Sequence, residues 1–147
     1  MTDTAPDGFT VSKPGIGDDA GKLILRVTLA GLMLFHGYSK VTGGIGGIES
    51  MLDQAGLPSV FAWGVYVGEV IAPLFMIAGV LTRISALIFA FNMVVAILLG
   101  HAGEMFTLGE HGEWAIELQM LYLMGAVAVA LLGPGRYALR AGRGILA

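Results

Sequence analysis

The sequence contains no cysteine, which excludes disulfides, thiol catalysis, thiolate zinc sites and cysteine-held iron–sulfur clusters. Charge is scarce as well. Charged residues make up 13% of the 147, where a soluble domain carries about a quarter. There is no basic run and no interleaving of aromatic and basic residues, so nucleic acid is not an expected partner. The net charge of −3 points to no acidic or basic partner. A secretory signal is not expected, because no basic stretch precedes an apolar one near the start and no small-residue cleavage site follows the first apolar run. Nucleophilic triads and dinucleotide fingerprints are absent. The glycine cluster Gly43-Gly44-Ile45-Gly46-Gly47 follows an apolar span, whereas a phosphate-binding loop needs a strand before it.

What the chain has in quantity is apolar surface. Hydrophobic residues reach 56% and the mean hydropathy is +0.80. The 23 glycines and eight methionines suit helices that pack closely in lipid, where small residues let backbones approach. Four apolar spans are read, at about residues 23–41, 60–81, 84–100 and 114–132, each near the roughly 20 residues that cross a bilayer. Too little polar chain remains to cover four such helices in water. The expected fold is therefore an all-α integral membrane four-helix bundle over residues 22–133. Residues 1–21, rich in Asp, Gly, Pro and Thr, read as a disordered tail, and residues 134–147 as a basic tail.

Four spans place both termini and the Thr82–Arg83 turn on one side. That side holds Lys13, Lys22, Arg26, Arg83, Arg136, Arg140 and Arg143; the other holds Lys40 alone. By the positive-inside rule both termini face the cytoplasm. In the first outer loop Ile48, Met51, Leu52 and Ala55 recur at helical spacing, which predicts a short interfacial helix closed by Gly56-Leu57-Pro58. Trp63 and Tyr66 then fall at the aromatic belt. The second outer loop, residues 101–113, carries three acids and two histidines.

Ionisable groups inside lipid are costly unless paired or wetted, so each is a functional candidate. His36 and Lys40 lie four apart on one face in the outer part of the first span. Glu69 falls near the midplane of the second span. Pro73, four residues on, cannot donate an N–H to the Glu69 carbonyl, which predicts a kinked, acceptor-rich spot. Asn92 lies in the third span and His101 at its exit, while Glu117 and Gln119 open the fourth. The expected ligand-binding set is thus His36, Lys40, Glu69, Asn92, His101, Glu117 and Gln119, with Glu69, His36 and Lys40 as the chemical groups. Plainer readings stand beside these. Glu69 can serve only to bond a neighbouring helix, Lys40 can reach up to headgroups, and Asn92 and Gln119 can be interhelical hydrogen-bonding groups. Glu110, Glu113 and Glu117 form a wetted stripe if the fourth helix begins early. No metal site is expected, since no ligand-spacing motif is present; His36, Glu69, His101 and Glu117 would be its ligands if one existed.

The run Leu32-Met33-Leu34-Phe35-His36-Gly37-Tyr38-Ser39-Lys40 resembles the first-helix signature of the DoxX family. The likeness continues through Gly56-Leu57-Pro58, Gly68-Glu69, Gly79-Val80-Leu81-Thr82-Arg83, His101, Glu117 and Gly133-Pro134-Gly135-Arg136-Tyr137. This resemblance implies a four-helix bacterial inner-membrane protein. Members of the family are linked to thiosulfate:quinone oxidoreduction, as the small membrane partner of a redox complex, and to oxidative-stress assemblies. The matching polar positions that the resemblance offers as candidates are His36, Lys40, Glu69, Arg83, His101 and Glu117.

Three functions follow as expectations. One is a membrane redox subunit that binds a quinone in the outer-half pocket, with no electron-carrying cofactor of its own and a protein partner that supplies one. The second is a transport or metal-handling protein with a midplane site at Glu69. The third is a non-catalytic assembly partner. The bilayer is the expected environment in each, and the glycine-rich faces permit a homodimer.

Overall fold

The computed structural model describes residues 15–139. Helix α1 runs Ile16–Gly43 and α2 Gly46–Gln54. Helix α3 runs Ser59–Ala78, α4 Thr82–Gly100 and α5 Glu117–Leu132. Among the described residues the only bridge of β type joins Leu108 to Trp114, in the loop between α4 and α5. The fold is all-helical. Helices α1, α3 and α4 are each long and apolar enough to cross a membrane, and α5, at 16 residues, is a shorter apolar helix.

The helix boundaries depart from the hydropathy limits for local reasons. Helix α1 begins at Ile16, inside the segment read as a tail. The Asp18 carboxylate accepts the Gly15 N–H at 2.9 Å, and Asp18 and Asp19 place negative charge in the first turn, where the helix dipole favours it. At 28 residues α1 is about 42 Å long, so it extends beyond the hydrocarbon thickness. The turn between α3 and α4 is Gly79-Val80-Leu81, not Thr82–Arg83. Gly79 takes a left-handed φ of 72°, which ends α3, and Leu81 follows at φ 47°. Thr82 is already the first residue of α4. Helix α5 starts at Glu117, three residues later than the apolar run. The chain before it folds back as a small hairpin, with Gly109 N bonded to Glu113 O and Ala115 N to Thr107 O. Glu110 and Glu113 therefore lie in that hairpin and form no helical stripe with Glu117.

Two apolar clusters hold the bundle. The larger one packs Ala30, Met33, Met76, Ala86, Phe89, Ala126 and Val129 from α1, α3, α4 and α5. Its alanines are closed to solvent, which is how backbones come close without a solvent-driven core. The second lies under α2, where Leu52 meets Ile45, Ala62 and Val65. The outside of the bundle is strongly apolar: Phe35, Phe91, Leu121 and Leu131 are all more than 60% exposed. An exposed apolar surface of that extent belongs against lipid.

One end of the bundle carries the first and last described residues and is called here the terminal end. Arg26 is 1% exposed there. Its Nη1 donates to Met76 O at 2.5 Å and Ile77 O at 2.9 Å, and its Nη2 donates to Tyr137 O. Two of these bonds reach the C-terminus of α3, where a cation is favoured: one serves the Ile77 carbonyl and the other joins the Gly79 N–H on Met76 O. Asp19, 3% exposed, accepts the Arg136 N–H at 3.0 Å, and Leu139 N donates to Ala78 O. The segment after α5 is thus strapped across this end. The opposite end, formed by α2 and the two longer loops, is the loop end. Residues 1–14 and 140–147, with most of the two expected tails, lie outside the described residues.

Candidate functional site

The site begins with a local conflict in α3. Pro73 has no N–H, and its ring would crowd the carbonyl of Glu69 in a regular helix. The helix resolves this with a π-helical turn over Val67–Ile71, in which Ala72 N bonds back five residues to Val67 O. Such single π turns insert one extra residue and recur at functional sites. Glu69 sits at the centre of this one. Its carbonyl is accommodated because α1 presents Gly37 to it: a Cβ there would collide with Glu69 O and the Val70 side chain. Gly68 does the same for α4, since a Cβ on it would strike the Asn92 side chain.

Around Glu69 the helices leave a cavity of about 390 Å³ toward the loop end. Its polar wall comes from His36, Ser39 and Lys40 on α1, Glu69 on α3, His101 after α4, and Gln119 and Tyr122 on α5. Five of the seven expected ligand-binding residues therefore meet in one space: His36, Lys40, Glu69, His101 and Gln119. Asn92 does not line it, but packs on Gly68 beside the Glu69 carboxyl. Glu117 does not line it either; it is exposed in the first turn of α5.

Exposure varies with depth. His36 and Ser39 are exposed and Lys40 is half-buried, whereas Glu69 is 8% exposed. The His36 ring stands edge-on to Tyr122, with centroids 5.9 Å apart, and Tyr122 in turn tilts against Phe89. His101 links the wall to the outer loop. Its Nδ1 pairs with Glu104 Oε2 at 2.9 Å and its Nε2 with Gln119 Nε2 at 2.9 Å. Nδ1–H donates to the Glu104 carboxylate, so Nε2 accepts from the Gln119 amide. Two buried oxygens of the cavity residues, Glu69 Oε2 and Gln119 Oε1, have no hydrogen-bond partner among the described residues. A buried acceptor left open costs about 1–3 kcal/mol. Among the described residues, no three His, Asp or Glu side chains stand close enough to hold a metal ion.

Sequence reasoning missed Tyr122 and treated Arg26 and Asp19 as topology and tail. Tyr122 falls three residues after Gln119, on the same face of α5, and that spacing was the available signal. Asp19 and Arg26 lie seven apart on one face of α1, a pattern legible only once the helix is known to begin at Ile16.

The DoxX family model matches residues 21–102, more than half of the chain. The chain belongs to the DoxX family. The DoxX match carries α1 to α4 and includes His36, Lys40, Glu69 and His101, while Gln119 and Tyr122 on α5 lie beyond it. A similar curated protein is "Putative oxidoreductase CatD" of Bacillus subtilis (strain 168), 34% identical over 80 residues. That alignment takes in 54% of this chain and 59% of the relative's length. No solved structure matches.

Proposed function

We propose that this DoxX protein is the small membrane subunit of a redox system, and that its loop-end cavity binds a quinone or a similar small molecule. In this reading α5 is the fourth span of a multi-pass protein in the bacterial inner membrane. Both termini are cytoplasmic, and the cavity opens in the outer half of the bilayer. The excess of Lys and Arg at the terminal end supports that orientation.

The convergence of His36, Lys40, Glu69, His101 and Gln119 on one space between apolar helices carries the proposal. Its volume of about 390 Å³ suits one small ring system. Reducing a quinone to a quinol takes two electrons and two protons. The protons come from Glu69 and His36, and the Lys40 charge stabilises negative charge gathering on the ring oxygens. The electrons come from a cofactor on a partner protein. The name of the Bacillus relative supports a redox role. Among the described residues no ligand cluster supports the metal-handling reading.

The test is purification in mild detergent, organic extraction and a quinone spectrum, with turnover measured alongside the partner. Wild-type protein should carry extractable quinone. Glu69→Gln should lower quinone-linked turnover about 100-fold with its thermal unfolding unchanged. A wild-type preparation without quinone, and unaffected by added quinone, refutes the reading.

A further inference from the structure

We infer that the cavity prefers a ligand bearing hydroxyl donors, the reduced or phenolic form of a ring compound, over the carbonyl form. The inference rests on the reading that this cavity holds a small ring ligand. It stands on how donors and acceptors are distributed with depth. The cavity's donors lie on His36, Ser39 and Lys40, whose side chains are exposed or half-buried and can be satisfied by water, and on Tyr122, which is buried but whose hydroxyl is not among the buried groups left without a partner. Its unsatisfied groups are acceptors shielded from water: Glu69 Oε2 and Gln119 Oε1. The Glu69 side chain is more than nine-tenths buried. With Glu69 ionised, the state in which giving up its proton leaves it, a ring hydroxyl brought to either oxygen supplies the missing donor, whereas a quinone carbonyl brings a further acceptor against it.

The orientation of Gln119 is part of the device. Its amide nitrogen is taken by His101 Nε2, and His101 is itself fixed by Glu104 through Nδ1. That chain turns Oε1 away from His101. His101 is therefore a positioning residue: it holds Gln119 so that an acceptor, and not the amide NH₂, is the group left without a partner.

Three probes of one ring skeleton separate the possibilities: a naphthoquinol kept reduced under argon, its dimethyl ether, and the parent naphthoquinone. Calorimetric titration of the purified full-length protein in detergent should find the quinol at least about tenfold tighter than either of the others. Glu69→Gln replaces one acceptor by a donor, and His101→Leu frees Gln119 to turn. Each should bring the quinol-to-ether ratio to within about threefold of unity. The ratio is the readout because a general loosening of the fold lowers both affinities together. Equal binding of all three probes by wild type overturns the donor preference and leaves the ring-binding cavity standing. A quinol preference that survives in both variants overturns the assignment to Glu69 and Gln119. Binding of none of the probes overturns the preference together with the reading beneath it.

Discussion

Replacing Arg26 by Met keeps most of the side-chain volume and removes the guanidinium. In the wild type that group is closed to solvent and donates to the carbonyls of Met76, Ile77 and Tyr137. The substitution gains by no longer burying a charge, and loses the only side-chain donors described for three carbonyls at the terminal end. Met76 O keeps the Gly79 N–H, so the Ile77 and Tyr137 carbonyls are the ones left open, at about 1–3 kcal/mol each, and part of that returns as water reaches the loosened strap. A net loss of about 3 kcal/mol follows, in the range seen when one member of a buried charged network is removed. Arg26→Lys should fall between, because one ammonium on a flexible stem cannot reproduce the planar fork that reaches two helices and the strap. Thermal unfolding in detergent measures the loss. Limited trypsin digestion reports its location, since the peptide bond after Arg136 becomes accessible when Tyr137 is released. An Arg26→Met protein within about 0.5 kcal/mol of wild type, with unchanged cleavage at Arg136, would refute the account of this end.

The remaining predictions concern the α1–α3 contact, the π turn and the orientation. Gly37→Ala puts a Cβ into the Glu69 carbonyl, which cannot move aside as a side chain would. It should cost about 1–3 kcal/mol in thermal unfolding, whereas Gly31→Ala on the same helix meets nothing within 4 Å and should be neutral or slightly stabilising. Pro73→Ala restores an N–H that can close a regular turn onto the Glu69 carbonyl. Stability should hold or rise by about 1 kcal/mol while extractable quinone falls, because losing the extra residue swings Glu69 about 100° around the axis. Retained quinone with a stable fold would show that the π turn does not set the site. Because the chain has no cysteine, a single Gly103→Cys is a clean topology probe in intact cells. A membrane-impermeant maleimide should label it from outside, and failure to label intact cells but success after lysis would reverse the orientation.

The long apolar helices were legible because hydropathy over some twenty residues needs no knowledge of partners. The ends of those helices were not, since they are decided by single residues that hydropathy averages away. Asp18 and Asp19 lower the hydropathy of their stretch and read as tail, yet acids are what a helix N-terminus favours. Gly79 was similarly hidden within an apolar run, where its left-handed φ stops α3 three residues early. At the site, Pro73 announced a free carbonyl at Glu69, and the structure adds how the chain absorbs it, by a π turn set against Gly37. Helical depth alone gathered His36, Lys40 and Glu69 into the outer half of the bundle, with Glu69 near the midplane. Depth could not exclude Glu117, because that depends on α5 beginning only at that residue, where its side chain is exposed. The His101–Gln119 bond joins residues 18 apart across a loop, and the Arg26–Tyr137 bond joins residues 111 apart. Neither leaves a periodic trace.

Both ends of the bundle keep buried polar atoms without a partner, but they differ in what holds the groups that are bonded, and the difference bears on function. At the terminal end a fully buried cation is bound to backbone carbonyls of two separate segments, and a buried acid to a backbone amide. Backbone partners are fixed in place once the helices have packed, so this end gains order from its polar groups. At the loop end the links between elements are fewer and use side chains that can turn: Tyr66 Oη to Lys40 O at 3.3 Å, and Gln119 to His101. The buried carboxyl there keeps an oxygen without a partner. If Glu69 served only to join helices, bonds to fixed backbone groups like those of Arg26 and Asp19, each of which also keeps one polar atom without a partner, would be the stable solution at its level too. The chain instead carries a proline, a π turn and two obligatory glycines around a carboxyl that remains incompletely bonded. Those costs are understandable if the missing partner is a proton or a ligand that comes and goes, and they have no return if the residue is structural.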